Sequence, residues 1–256
     1  MPSGLHNFFH TFFDTGQMKV VFPTLLKVGL LNTLILSAGA IVLGVLIGLL
    51  LASMLVSRKA SVRAPARVYV DVFRGLPIIL TILLIGQGLP IAGIHIFGRS
   101  AYPYAMLALG VVSGAYIAEI FRSGIQSVDV GQLEAARSLG LSHSKGMALV
   151  VIPQGIRRIL PALTNQFIAM VKDSSLVYLL GLAVGQRELF SIAQDQTASN
   201  GSLAPLVAAG CVYLLITVPM THFVNHLDRR LRNGRPVTSS SYSVEDLALV
   251  TSGEAQ

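Results

Sequence analysis

The sequence predicts an all-α, polytopic membrane protein of about five transmembrane helices, and three observations carry that prediction. Hydrophobic residues make up 53% of the 256 positions and charged residues only 12%, against roughly 25% charged in an average soluble protein. The mean hydropathy is +0.68. The apolar residues lie in continuous runs, and a run of about 18 or more can cross a hydrocarbon core of ~30 Å as a helix. Lipid offers no partner to backbone N–H and C=O groups, so only helices and closed barrels span a bilayer. A barrel strand would alternate apolar and polar residues over about ten positions, which these runs do not.

The elements follow in order. Phe8, Phe9, Phe12 and Phe13 recur at helical spacing and suit a short helix lying in the membrane interface. No basic segment precedes a short apolar core and a small-residue cleavage site, so no signal peptide is expected. Spans are predicted at about 29–54, 70–90, 102–122, 162–185 and 203–226. A long polar connection at about 123–160 joins the third to the fourth. The expected organisation is an extracytoplasmic segment over 1–27, a transmembrane domain over 28–230 and a cytoplasmic tail over 231–256. That tail is rich in Ser and Thr from Asn233 onward and is expected to be disordered.

Orientation follows from the basic residues. Arg58, Lys59, Arg63 and Arg67 fall in the first connection, and Arg122, Arg137, Lys145, Arg157 and Arg158 in the third. Arg229, Arg230, Arg232 and Arg235 follow the last span. Only Lys19, Lys27, Arg99 and Arg187 fall on the other side. The excess marks the cytoplasmic face, which puts the C-terminus inside and the N-terminus outside and requires an odd number of spans. The net charge of +7 is explained by these flanks, so membrane lipid rather than nucleic acid is the expected partner. Gly44 and Gly48, Gly110 and Gly114, and Gly181 and Gly185 are pairs four apart that suit close helix packing. Cys211, the single cysteine, excludes an internal disulfide and sits in an apolar run, where packing is expected.

The most informative segment is Gly131-Gln132-Leu133-Glu134-Ala135-Ala136-Arg137-Ser138-Leu139-Gly140. Asp129 or Ser127 can cap a short helix here, and Gly140 can end it in a left-handed conformation. Leu133, Ala135 and Ala136 would give a small apolar side, and Glu134 and Arg137 a polar one. Such a helix could dock into a groove on a partner or rest on the membrane surface, and its physics alone does not choose.

Several ordered motifs resemble one family. Glu134-Ala135-Ala136, then Gly140, then Val150-x-Ile152-Pro153 is similar to the "EAA" signature of ABC importer permeases, with Ile152 where the family favours Leu. The likeness continues through Pro161, Asn165 and Lys172-Asp173-Ser174-Ser175-Leu176. Phe73-Arg74-Gly75-Leu76-Pro77 and Gly114-Ala115-Tyr116-Ile117-Ala118-Glu119-Ile120-Phe121-Arg122-Ser123-Gly124 resemble the polar amino-acid branch, which imports His, Glu, Gln, Arg and opines. The resemblance implies a permease subunit in a bacterial inner membrane. It implies that Glu134, Ala135, Ala136 and Gly140 form a coupling helix that inserts into a cleft of an ATP-binding cassette ATPase subunit. It also implies a second permease subunit, identical or related, and an extracytoplasmic solute-binding protein. Polar amino acids lead as substrate, with ectoine-like solutes open.

Ionisable groups inside spans are functional candidates by default. Arg74 lies in the first turns of the second span and can snorkel to the interface or face the pathway. Glu119 and Arg122 are three apart and can pair, as a structural salt bridge or a substrate contact. Lys172 and Asp173 are expected near the middle of the fourth span, beside Ser174. Neighbouring residues point about 100° apart on a helix, so each needs a partner elsewhere, and a zwitterionic amino acid would supply both signs. Asn165 and Gln166 would extend the same polar strip.

No phosphate-binding loop of the G-x-x-x-x-G-K-[ST] form is present, and no histidine pair has zinc spacing. No nucleophile constellation is found. The chain is therefore expected to be a transport subunit rather than an enzyme, with no cofactor or metal of its own and ATP used by the partner ATPase. The competing reading is a gradient-driven secondary transporter, which predicts an inverted repeat and broken helices. Five spans divide poorly into two halves, and no repeat is evident.

Overall fold

The computed structural model describes residues 3–232. The predicted tail from Asn233 lies outside them. Among the described residues the chain is helical throughout. Helix α1 (Ser3–Phe13) is separated from α2 (Thr15–Thr24) by Asp14, whose carboxylate accepts from the backbone of Gly16 and Gln17. A single wider π turn (Leu25–Gly29) leads into α3 (Leu30–Leu55). The first span therefore lies where the sequence predicts it.

The predicted second span is not one straight helix. Helix α4 (Ala60–Gly75) stops at Gly75, and α5 (Ile78–Leu83) restarts after Pro77, continuing through a π turn into α6 (Leu89–Ile91). The axes turn by 106° across the break. The cause is local: a residue before proline is disfavoured in the helical region, and Leu76 is extended at φ −82°, ψ 143°. The apolar arm Ile78–Ile91 rises only about 21 Å at 1.5 Å per residue, so a bent helix pair stands where the sequence predicts a straight second span.

Helix α7 (Ala101–Gln126) matches the predicted third span. The polar connection folds into α8 (Val130–Ser138) and α9 (His143–Gly146). It is shorter than predicted, because α10 (Ile152–Asp173) begins ten residues before the expected fourth span. Its first turns carry Arg157 and Arg158 and read as loop by hydropathy. They are helical because Gly155 packs directly against Gly124 of α7, with Ile159 alongside. From Ser174 to Leu180 the chain tightens into a 3₁₀ helix, with another short 3₁₀ turn at Val184–Gln186. Two elements complete the fold, α11 (Leu189–Asn200) and α12 (Ala204–Arg232).

Helices α3 and α7 run side by side in the same direction. A Cβ on Gly44 would meet Ser113, one on Gly48 would meet Ile117, and one on Gly114 would meet Ile47. Two of the predicted glycine pairs thus form one close helix interface. The third does not: Gly181 ends the 3₁₀ segment in the left-handed region at φ +68°, and Gly185 meets nothing. Leu36, Ala40, Ile82, Ala105, Leu109, Met170 and Val177 join α3, α5, α7, α10 and the 3₁₀ segment in one core cluster. Outward faces remain apolar, with Leu46 and Leu50 on α3 and Leu214 and Leu215 on α12 exposed, as a bilayer requires. Cys211 is also exposed rather than packed.

Candidate functional site

The structure divides the sequence-predicted residues between two ends of the helix bundle. Helix α10 runs antiparallel to α7, with Gly155 and Ile159 against Gly124, and Met170 in one cluster with Ala105 and Leu109. Ala105 and Glu119 lie fourteen residues apart on α7, about 21 Å along its axis. The Lys172–Ser174 group and the Glu119 group are therefore not brought together.

At the Gln126 end stands the loop helix. Asp129 caps α8 by accepting from Gly131 N at 2.7 Å, and Gly140 ends it in the left-handed region at φ +86°. Ala136 is buried, and Leu133 touches Gly146 of α9. Glu134 and Ala135 face outward, so of the predicted small apolar side Ala136 is turned inward and Ala135 outward. Val130 at 70% exposure and Leu139 at 86% flank them. A side-chain contact between Gln154 and Gln132, and a hydrogen bond from Arg158 to the carbonyl of Ser127, tie this unit to α10. The outcome is a short, firmly seated helix whose outer face is small, partly apolar and uncovered by the other described residues.

Close by, Arg122 pairs with Glu119 through both nitrogens of its fork, at 2.5–3.2 Å, and donates to Gln126. The predicted pair is formed. Arg74, at the α4–α5 corner, lies over the Tyr116 ring at 5.4 Å, a cation–π arrangement. Tyr69 on the same helix donates to the Val111 carbonyl at 2.9 Å.

At the opposite end, Lys172 and Asp173 occupy the last turn of α10 rather than the middle of a span, because that helix starts early and runs about 30 Å before they occur. Lys172 is exposed and Asp173 half-buried, and among the described residues neither forms an ion pair. Ser174 and Ser175 turn their hydroxyls back to the carbonyls of Val171 and Lys172 at 2.8 and 2.7 Å. Such back-bonding competes with the helical ladder and accompanies the switch to 3₁₀.

Ser174 also belongs to a buried polar cluster that the sequence reading missed. Glu188 is 0% exposed and caps α11. Its carboxylate accepts from the backbone of Phe190 and Ser191, from the Ser191 hydroxyl and, at 3.1 Å, from the Tyr213 phenol of α12. The hydroxyls of Ser174 and Thr33 bear on the same phenol, and Thr33 accepts from Leu189 N at 3.2 Å. Burial pushes the Glu188 carboxyl above the ordinary carboxylate range, opposed by these donors. Asn32 donates to the carbonyls of Gly185 and Arg187, and Arg187 pairs with Asp195 at 2.6 Å. The cluster thus pins α3, α10, α11 and α12 at one junction. The available signal was the pattern Glu188-x-x-Ser191, a carboxylate set to cap the helix that begins at Leu189.

Comparison with known proteins agrees with this architecture. Residues 44–233 match the family described as binding-protein-dependent transport system inner membrane component. The chain is 35% identical over 205 residues to the probable glutamine ABC transporter permease protein GlnM of Bacillus subtilis, covering 79% of this chain and 89% of that one. It is 35% identical over 224 residues to the glutamate/aspartate import permease protein GltK of Escherichia coli, covering 85% and 98%. Among solved structures, an amino acid ABC transporter crystallised with histidines aligns with a TM-score of 0.74 at 36% identity, covering 86% of this chain and 98% of that one. A chain of the MetNI methionine ABC transporter, at 20% identity and a TM-score of 0.61, shares the fold. Matching in family pattern, in sequence over most of its length and in helix arrangement, the chain belongs to the binding-protein-dependent transport system inner membrane components.

Proposed function

We propose that the chain is the permease subunit of an ATP-binding-cassette importer for a polar amino acid, and that α8 is the element through which ATP hydrolysis moves the spans. The observation that carries this is the outward face of α8. It is capped at Asp129, terminated at Gly140, tied to α10, and left uncovered by the other described residues. A face with Glu134, Ala135, Val130 and Leu139 exposed suits a groove on a separate ATPase subunit, which would hold the ATP. The relatives' names supply the substrate class. A second permease subunit and an extracytoplasmic binding protein complete the assembly. The arginine-rich Gln126 end is assigned to the cytoplasm by its charge, which places α1 and α2 on the outside of the bacterial inner membrane.

Lys172, Asp173 and Ser174 are assigned to the pathway or its gate. Support comes from their place at the end of a spanning helix, where the backbone changes to 3₁₀ and carbonyls are released from the ladder. Irregular backbone at such depth is tolerated where it lines a cavity or is buried in protein. Arg74 and Glu119, at the other end, are assigned to the inner mouth. Uptake of labelled glutamine, glutamate, arginine and histidine into proteoliposomes holding the whole transporter tests this reading. Uptake is expected to require ATP and to survive a protonophore and a sodium ionophore. Asp173→Asn is expected to lower it by about tenfold, the loss of one charged hydrogen bond worth ~1.5–3 kcal/mol, with assembly unchanged. Uptake driven by an ion gradient without ATP would return the secondary-transporter reading.

A further inference from the structure

The bent second span belongs to a group of charges of which the import reading uses only Arg74 and Glu119, at its inner mouth. Helix α4 turns by 106° from the apolar arm that follows it, so the two cannot both stand along the membrane normal. Its sequence is amphipathic around the whole circumference. At 100° per residue, Ala66 and Val70 form the stripe buried against Leu51, Leu55 and Ala118. Arg63, Arg67 and Arg74 fall within an arc of about 40° beside that stripe. The exposed Val68 and Val72 occupy the far side. Exposed valines on one side and a row of arginines on the other are the pattern of a helix lying in a membrane interface.

The arginines are poorly compensated. Glu119 of α7 is engaged by Arg122 at 2.5 Å, and Arg74 and Arg67 also act on its charge. Asp71 lies on the outer flank of the arginine row. Four guanidiniums, those of Arg63, Arg67, Arg74 and Arg122, thus face two carboxylates. Arg63 donates to the carbonyl of Ser57 at 3.4 Å, and Arg122 is committed to Glu119 and Gln126. Among the described residues neither Arg67 nor Arg74 forms an ion pair. Arg74 is held over Tyr116, which fixes its position and leaves its N–H edge to donate. One guanidinium held in place and a second, exposed one on the same face, beside a filled carboxylate, suit a tetrahedral oxyanion.

We propose that the basic surface where α4 meets the Glu119 end of α7 binds the phosphate headgroup of an anionic phospholipid, with Arg67 and Arg74 as its donors and the acyl chains running along the apolar side of α4. A basic pocket between helices at the membrane surface is where such headgroups are recognised. A lipid rather than a soluble anion is argued by the exposed Val68 and Val72 of the same helix, which offer acyl chains an apolar surface.

The test uses the full chain in detergent micelles and a photoactivatable phosphatidylglycerol, with phosphatidylcholine of the same chains as reference. Cross-links to peptides spanning 60–75 and 112–126 are mapped by mass spectrometry. Preferential labelling of these peptides by phosphatidylglycerol is expected. The double variant Arg67→Gln, Arg74→Gln is expected to weaken it roughly fivefold per arginine removed, the size of one surface basic contact. Arg58→Gln with Lys59→Gln, an equal charge loss outside that surface, should leave it intact. Equal labelling by both lipids, or equal loss in both double variants, would overturn the proposal. Displacement by millimolar inorganic phosphate would assign the site to a soluble anion and overturn the lipid. The wild-type labelling map stands by itself should the arginine variant fail to fold.

Discussion

Glu188 shows what one buried side chain decides in this fold. It is the largest buried acidic group among the described residues, and four donors from α11 and α12 converge on it. Removing it would leave the Tyr213 phenol and the first turn of α11 without their acceptor, and a buried donor left unsatisfied costs about 1–3 kcal/mol. Burial raises its carboxyl above the ordinary range in the folded chain, so the folded state holds that proton more tightly than the unfolded chain does. The resulting stability is complete below the ordinary carboxylate value and is lost as pH rises through the raised folded value. Thermal unfolding in detergent should therefore show wild type losing stability as pH rises above the ordinary carboxylate value. Glu188→Gln should flatten that slope. A slope unchanged by the substitution would mean that the carboxylate stays charged in the fold.

At the scale of elements, α3 and α7 are joined by glycine-for-side-chain exchange. A Cβ at Gly44 would stand 2.5 Å from the Ser113 hydroxyl oxygen, whereas one at Gly210 on α12 meets nothing. Gly44→Ala should therefore destabilise by roughly 1–3 kcal/mol through overpacking, and Gly210→Ala should be close to neutral, both read as unfolding midpoints in detergent. Equal effects would show that helix propensity rather than close approach is being measured. These contacts also show what was legible in the sequence. Hydropathy located α3, α7 and α12 within a few residues, because nothing but length and apolarity is needed there. It misplaced the start of α10, because Gln154, Arg157 and Arg158 read as loop and only Gly124 on α7 makes that turn a helix. It merged α4 with α5, although Pro77 and Gly75 were visible, because an apolar average has no memory of direction. The loop helix was legible in detail at Asp129 and Gly140, since capping chemistry is local. The Glu188 junction was not, because its partners come from positions up to 156 residues away, as Thr33 and Leu189 are.

Across the whole molecule, the two candidate regions stand at opposite ends of α7 and α10. The α8 face lies where those helices meet through Gly124 and Gly155, and Lys172, Asp173 and Ser174 lie where α10 gives way to 3₁₀ near the Glu188 junction. Helix α10 is the physical link, with α8 tied to its first turn and the 3₁₀ segment following its last. Force applied to α8 by a partner would be carried along a rigid helix about 33 Å long to the charged pair. The central claim is that α8 is the site of this coupling. The measurement that tests it most directly is ATP hydrolysis by the reconstituted transporter, with and without the liganded binding protein, in wild type, Glu134→Lys and Gly140→Trp. Wild type should be stimulated by the liganded binding protein. Both variants should lose that stimulation or fail to retain the ATPase, with the helical content of the permease unchanged. Full stimulation and full ATPase retention in both variants would contradict the account.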